Sequence, residues 1–153
     1  MTKAYFKLSQ MVAAIETIKK KRLVNTQISV LGKIDDSLVE DNSISRSKQK
    51  EFKEFWRQLL GSPADFGFFF NPEIGTIFIV GSLVSTFLQD VEGTKLGAMS
   101  VGPYGILRGL GIEPEHASSH IKILGKGGFI LIIRGYDQDL LKLEEALIPI
   151  NKY

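Results

Sequence analysis

The sequence predicts an α+β fold, and three observations carry that prediction. Short β-branched or aromatic runs alternate with stretches whose apolar residues recur at helical spacing. The chain has 153 residues, the size of one domain that can bury most of its apolar surface. Ten glycines between residues 61 and 111 punctuate an otherwise apolar and aromatic middle. Because glycine permits left-handed turns and close backbone contact, that middle reads as a tightly packed insert, not a linker.

The first thirty residues read as strand, helix, strand. Residues 4–8, Ala-Tyr-Phe-Lys-Leu, form a short, partly aromatic strand candidate. Ser9 is placed to cap a helix whose Met11, Val12, Ile15 and Ile18 share one face. The basic run at 19–22 closes that helix, where cations complement the negative end of its dipole. Asn25 and Thr26 then turn the chain into a second strand at 27–31.

Residues 35–50 are polar, serine-rich and aperiodic, and read as an exposed loop. Phe52, Phe55, Trp56, Leu59 and Leu60 mark an amphipathic helix that Gly61, Ser62 and Pro63 end. Residues 66–70 are extended, broken by Asn71-Pro72, and 76–80 form a buried strand. A helix over 82–89 follows, then a glycine-broken stretch at 96–110. Pro114 opens a helix over 115–124, with Glu115 near its positive end. The strongest strand is 129–133. Asp137 is placed to cap a final helix carrying Leu140, Leu141, Leu143, Leu147 and Ile148, which Pro149 terminates.

With the insert removed, these elements give a ferredoxin-like β-α-β-β-α-β order plus an extra C-terminal helix. The expectation is one domain over residues 1–153, with 35–75 as insert or loop, folded as a two-layer sandwich with helices on one sheet face. The other face then needs solvent, the insert or a second subunit to cover it.

Composition narrows the function. A formal net charge of +2 gives no electrostatic case for nucleic-acid binding. The chain has no cysteine, which removes disulfides, thiolate metal sites and cysteine nucleophiles and suits a cytoplasmic protein. No apolar run near residue 1 is long enough for a secretion signal. The uninterrupted stretch at 74–88 has 15 residues, short of the ~20 that cross a bilayer.

Two segments together resemble the general stress protein 17M-like family, also called the heat-induced stress protein domain. In residues 4–32, AAIETIKKKRLVNTQISVLG is similar to that family's opening helix and following strand. In residues 71–135, NPEIGTIFIVGSLVSTFL, GILRGLGIEPEHA and GKGGFILIIRG resemble its later strand, helix junction and glycine-led final strand. The resemblance implies a small bacterial protein linked to stress, with no established chemistry and no catalytic residues to carry over.

Each candidate site has a simpler reading beside it. His116 and His120, four apart beside Glu115, are the metal-ligand types, but no third ligand follows at a telling distance. Gly125-Lys126-Gly127-Gly128 lacks the first glycine and the hydroxyl residue of a phosphate loop, so a helix stop explains it better. Gly105 to Gly111 lacks a dinucleotide fingerprint. Ser85, Asp90 and His116 are triad residue types with nothing to mark an activated serine. Tyr5, Phe6 and Phe129 read as packing residues, not as a base-stacking platform.

The resulting expectation is a non-enzymatic protein that acts through self-association or partner binding, with no cofactor. Trp56, Phe68, Phe69 and Phe70 are the residues expected to pack the insert against the core or a second subunit. The alternative is a regulatory domain that binds a small ligand or anion at Gly81, Gly111, Lys126 and Gly127.

Overall fold

The computed structural model describes residues 1–40, 43–61 and 64–152. In chain order its elements are β1 (Thr2–Tyr5), α1 (Leu8–Lys20), β2 (Gln27–Lys33), the short pair β3 (Val39–Glu40) and β4 (Ser43–Ile44), and α2 (Arg46–Leu60). There follow β5 (Phe66–Asn71), β6 (Gly75–Gly81), α3 (Val84–Phe87) and the short pair β7 (Asp90–Val91) and β8 (Thr94–Lys95). The chain closes with α4 (Gly102–Gly109), α5 (Pro114–Gly125), β9 (Phe129–Arg134) and α6 (Asp137–Leu147).

The class is α+β, as expected, but the ferredoxin-like order and the two-layer sandwich are not what the chain forms. Five strands make one sheet in the order β1-β9-β2-β6-β5, every neighbour antiparallel. β1 and β2 therefore run parallel with β9 between them, and β6 and β9 run parallel with β2 between them. The first strand lies at an edge, whereas a ferredoxin-like sheet holds it inside.

Helices cover both faces because the inner strands are apolar on both sides. Val30, Phe78, Val80, Leu131 and Ile133 point to one face, where α1, α2 and α6 bury them with Met11, Ile15, Trp56, Leu143 and Leu147. Leu31, Ile77, Ile79, Ile130 and Ile132 point to the other, covered by α3, α4 and α5 through Phe87, Leu107, Ala117 and Leu124. The part of the glycine-rich stretch after β6 thus supplies α3 and α4 of the second helix layer.

Two glycines are required by what lies above them. A Cβ on Gly32 would fall inside the rings of Phe78 and Phe129, so its absence lets those aromatics lie on β2. Gly81 has φ +109, and a Cβ there would strike the carbonyl oxygen of Ile28. Trp56 is 1 % exposed and packs on Phe78 with ring centroids 5.1 Å apart. The aromatic insert helix is therefore anchored to the sheet itself.

Several boundaries differ from the sequence expectation for local reasons. Lys7, not Ser9, is the cap of α1, and its backbone N–H donates to the Gln10 side chain at 3.0 Å. The polar 35–50 stretch is not all loop: Ser45 caps α2 by accepting from the Lys48 N–H at 3.4 Å, so the last five residues of the stretch are helical. The helix expected over 82–89 is the single turn α3, and Tyr136, not Asp137, caps α6. Past Leu147 the chain continues into a 3-10 turn through Pro149 instead of stopping there. Ser62 and Pro63, expected to end α2, lie outside the described residues; Gly61 ends it with φ +105.

Candidate functional site

A cleft of about 670 Å³ runs along the outer edge of β1. Its floor is the strand itself. Glu113, His116, Ser119, His120 and Ile123 form one wall, residues that recur every three or four positions and so share the β1-facing side of α5. Pro114 at the first turn starts that helix, and the buried Ala117 and Leu124 hold its other side on the sheet. Gln10 and Glu144 line the cleft from the opposite sheet face.

Inside the cleft, Thr2 Oγ1 and His120 Nε2 are 2.9 Å apart. His120 is half-buried, and its Nδ1 is buried without a partner. Burial first, then the nearby charges of His116 and Lys3, lowers the His120 pKa from its ordinary value. On the other face Lys3 Nζ pairs with Glu144. Tyr5 is buried with an unpartnered hydroxyl, and burial together with Glu144 raises its pKa to about 12.

A histidine beside a hydroxyl is the start of a nucleophile-activating relay, which also needs an acceptor to orient the other ring nitrogen. Among the described residues no such acceptor reaches His120 Nδ1. Ser85 and Asp90, the other triad residue types, do not line the cleft. The arrangement offers hydrogen-bond donors and acceptors along an open strand, which is chemistry for binding.

That open strand has a definite polarity. Met1 and Ile133 exchange backbone hydrogen bonds of 3.0 and 2.8 Å, so by alternation Lys3 and Tyr5 also face β9. Thr2 and Ala4 turn their N–H and C=O groups outward into the cleft. Phe6, just beyond the strand, is 63 % exposed at its mouth.

The structure distributes the residues singled out from sequence. His116 and His120 both line the β1 cleft, as does Gly111. Among the described residues no group of three His, Cys, Asp or Glu side chains is arranged to hold a metal ion. Gly81 lines a separate hollow of about 310 Å³, and Lys126 and Gly127 a third of about 350 Å³. The four residues proposed for anion binding therefore do not form one site. Trp56 and Phe69 are core residues, Phe68 is half-buried, and Phe70 is 40 % exposed.

Sequence reasoning did not single out Thr2, Lys3, Gln10, Ser119 or Glu144. Lys3 and Glu144 are 141 positions apart, and no local pattern announces their pairing. The periodic polar side of α5 was the one available signal.

Compared with protein-family models, curated proteins and solved structures, the chain finds no significant match in any of the three. Among the described residues no helix is long and apolar enough to cross a membrane.

Proposed function

We propose that this chain is a non-enzymatic binding domain that self-associates by pairing β1 with β1 of a second copy. The observation that carries the reading is the open outer edge of β1 inside the 670 Å³ cleft. An antiparallel pair centred on Lys3 sets Thr2 of each copy against Ala4 of the other, completing two reciprocal hydrogen-bonded pairs. In that pair Lys3 of one copy lies opposite Lys3 of the other, and Glu144, paired with each Lys3, offsets their repulsion. Phe6 supplies exposed apolar surface for the partner to cover. The resemblance in residues 4–32 and 71–135 supports placing this domain among cytoplasmic, stress-linked bacterial proteins as part of the same proposal.

Light scattering after size exclusion tests it. The wild-type chain is expected to run as a dimer at micromolar concentration. Ala4→Pro removes an outward N–H that no bond among the described residues uses, a change an edge strand tolerates. It should give a folded monomer with an unchanged circular dichroism spectrum. Phe6→Asp, at an exposed position, should weaken the dimer independently. A wild-type monomer at high micromolar concentration, or a dimer indifferent to both substitutions, overturns the proposal.

A second reading rests on the unpartnered Nδ1 of His120: a small polar ligand occupies the same cleft and completes that hydrogen bond. A thermal shift with a panel of small carboxylates, absent in His120→Gln, is its expected signature.

A further inference from the structure

The opposite edge of the sheet differs in charge. β5 is the other outer strand, and a trough of about 470 Å³ runs along it. Arg46, Lys50 and Lys53 line it from α2 at spacings of four and three, one side of a helix rising about 10 Å from first to last. Lys95, in the β7–β8 hairpin, lines it as well. No carboxylate is among the described residues that line the trough. Among the described residues, the ion pair these cations make is Lys50 with Glu54, stretched to 4.0 Å and exposed.

Phe66, Gly67 and Phe68 of β5 line the trough. Gly67, Phe69 and Asn71 lie opposite Ile79, Ile77 and Gly75. Gly81 donates to the Asp65 carbonyl at 2.9 Å, which fixes the alternation. Gly67, Phe69 and Asn71 therefore spend their backbone groups on β6, while Phe66, Phe68 and Phe70 turn theirs outward. Both sheet edges are open, but this one is a six-residue aromatic strand flanked by cations. A row of unpaired N–H and C=O groups of that length is a template for another strand.

We infer that the β5 edge binds an acidic peptide segment from a partner protein, added to the sheet as a sixth strand. Charge decides against a second copy of this chain, which would bring another set of four cations into the same trough. Shape decides against a membrane, since a concave trough admits a linear chain and excludes a plane. Backbone chemistry decides against single-stranded nucleic acid. The phosphate backbone offers acceptors for the outward N–H groups and nothing for the outward carbonyls, whereas a peptide strand satisfies both. Side chains alternating along the added strand would bring every second carboxylate beside Arg46, Lys50 and Lys53. This site is independent of the β1 edge and stands whether or not the chain dimerises.

Fluorescence anisotropy with the full chain tests the inference, using a labelled eight-residue peptide of alternating glutamate and valine. Binding should weaken at least tenfold when salt is raised, when lysine replaces glutamate in the peptide, and in Lys50→Glu/Lys53→Glu. Phe68→Pro removes an outward N–H and should also weaken binding at least tenfold. Because that variant risks its fold, a second probe peptide methylated on alternate amide nitrogens carries the same test with unaltered protein. Failure of the acidic peptide to bind overturns the inference. So does equal affinity for the methylated peptide, which would mean charge alone, or tighter binding of a labelled oligothymidylate, which would make the trough a nucleic-acid site.

Discussion

The side-chain amide nitrogen of Asn71 lies 3.0 Å from the carbonyl oxygen of Gly97, 26 residues further along the chain. The same nitrogen donates to Met99 O at 2.9 Å, while Asn71 Oδ1 accepts from the N–H groups of Glu73 and Ile74. One buried amide therefore shapes the β5–β6 turn and ties it to the segment that leads into α4. Asn71→Ala leaves those buried groups unpaired and should lower stability by about 3 kcal/mol in urea unfolding. Asn71→Asp keeps the two acceptor bonds and sets a carboxylate against the two carbonyls, so it should not rescue. A loss under about 1 kcal/mol would mean that water replaces the amide.

Gly81 is fixed more tightly than its place in a strand suggests. Its φ of +109 and the approach of the Ile28 carbonyl leave no room for a methyl group. Just beyond it the Ser29 hydroxyl accepts from the Leu83 N–H at 2.8 Å, which sets the chain on course for α3. Gly81→Ala should cost about 3 kcal/mol from strain and displacement together. Gly105→Ala, in the open on α4, should be neutral or slightly stabilising in the same assay. Similar effects at both positions would contradict this account.

How much of this was legible depends on how far apart the cause and its effect lie. The run from Phe129 to Ile133 reads from sequence as the strongest strand, and it is buried on both sides. An unbroken apolar strand already implies two covered faces. The two-layer expectation took its period without that consequence. The edge position of β1 was less accessible. Lys3 in a four-residue strand suits an edge, but the pairing with β9 joins the two ends of the sequence. His116 and His120, four apart, share the side of α5 that lines the β1 cleft. What that side faces depended on Thr2, which no local pattern connects to α5.

His120 should make stability depend on pH. Burial, His116 on its own helix and Lys3 on β1 all disfavour its charged form, so its folded pKa lies below the unfolded value near 6.5. The unfolded chain binds the proton first as pH falls. Stability is therefore full above about pH 6.5 and declines as pH drops through the folded pKa, with a slope of at most about 1.4 kcal/mol per pH unit. Urea midpoints measured from pH 7.5 to 5 should show this decline in the wild type and a flatter profile in His120→Gln. Equal slopes in the two proteins would assign the acid sensitivity to other groups.

Tyr5 should act at the alkaline end. Its hydroxyl is buried without a partner, and its pKa is raised to about 12, mainly by burial and then by Glu144. A raised pKa contributes stability that is whole below the unfolded value near 10 and is lost as pH climbs toward 12. Tyr5→Phe keeps the ring in the core and deletes the orphaned hydroxyl. At pH 8 it should be neutral or stabilising by about 1 kcal/mol. Between pH 10 and 11 its advantage over the wild type should grow, because only the wild-type unfolded chain gains by ionising there. Ultraviolet titration of tyrosinate should show one fewer late-titrating group in the variant. A clear destabilisation at pH 8 would mean that the Tyr5 hydroxyl is hydrogen-bonded in solution and that the β1 edge holds an ordered water beside it.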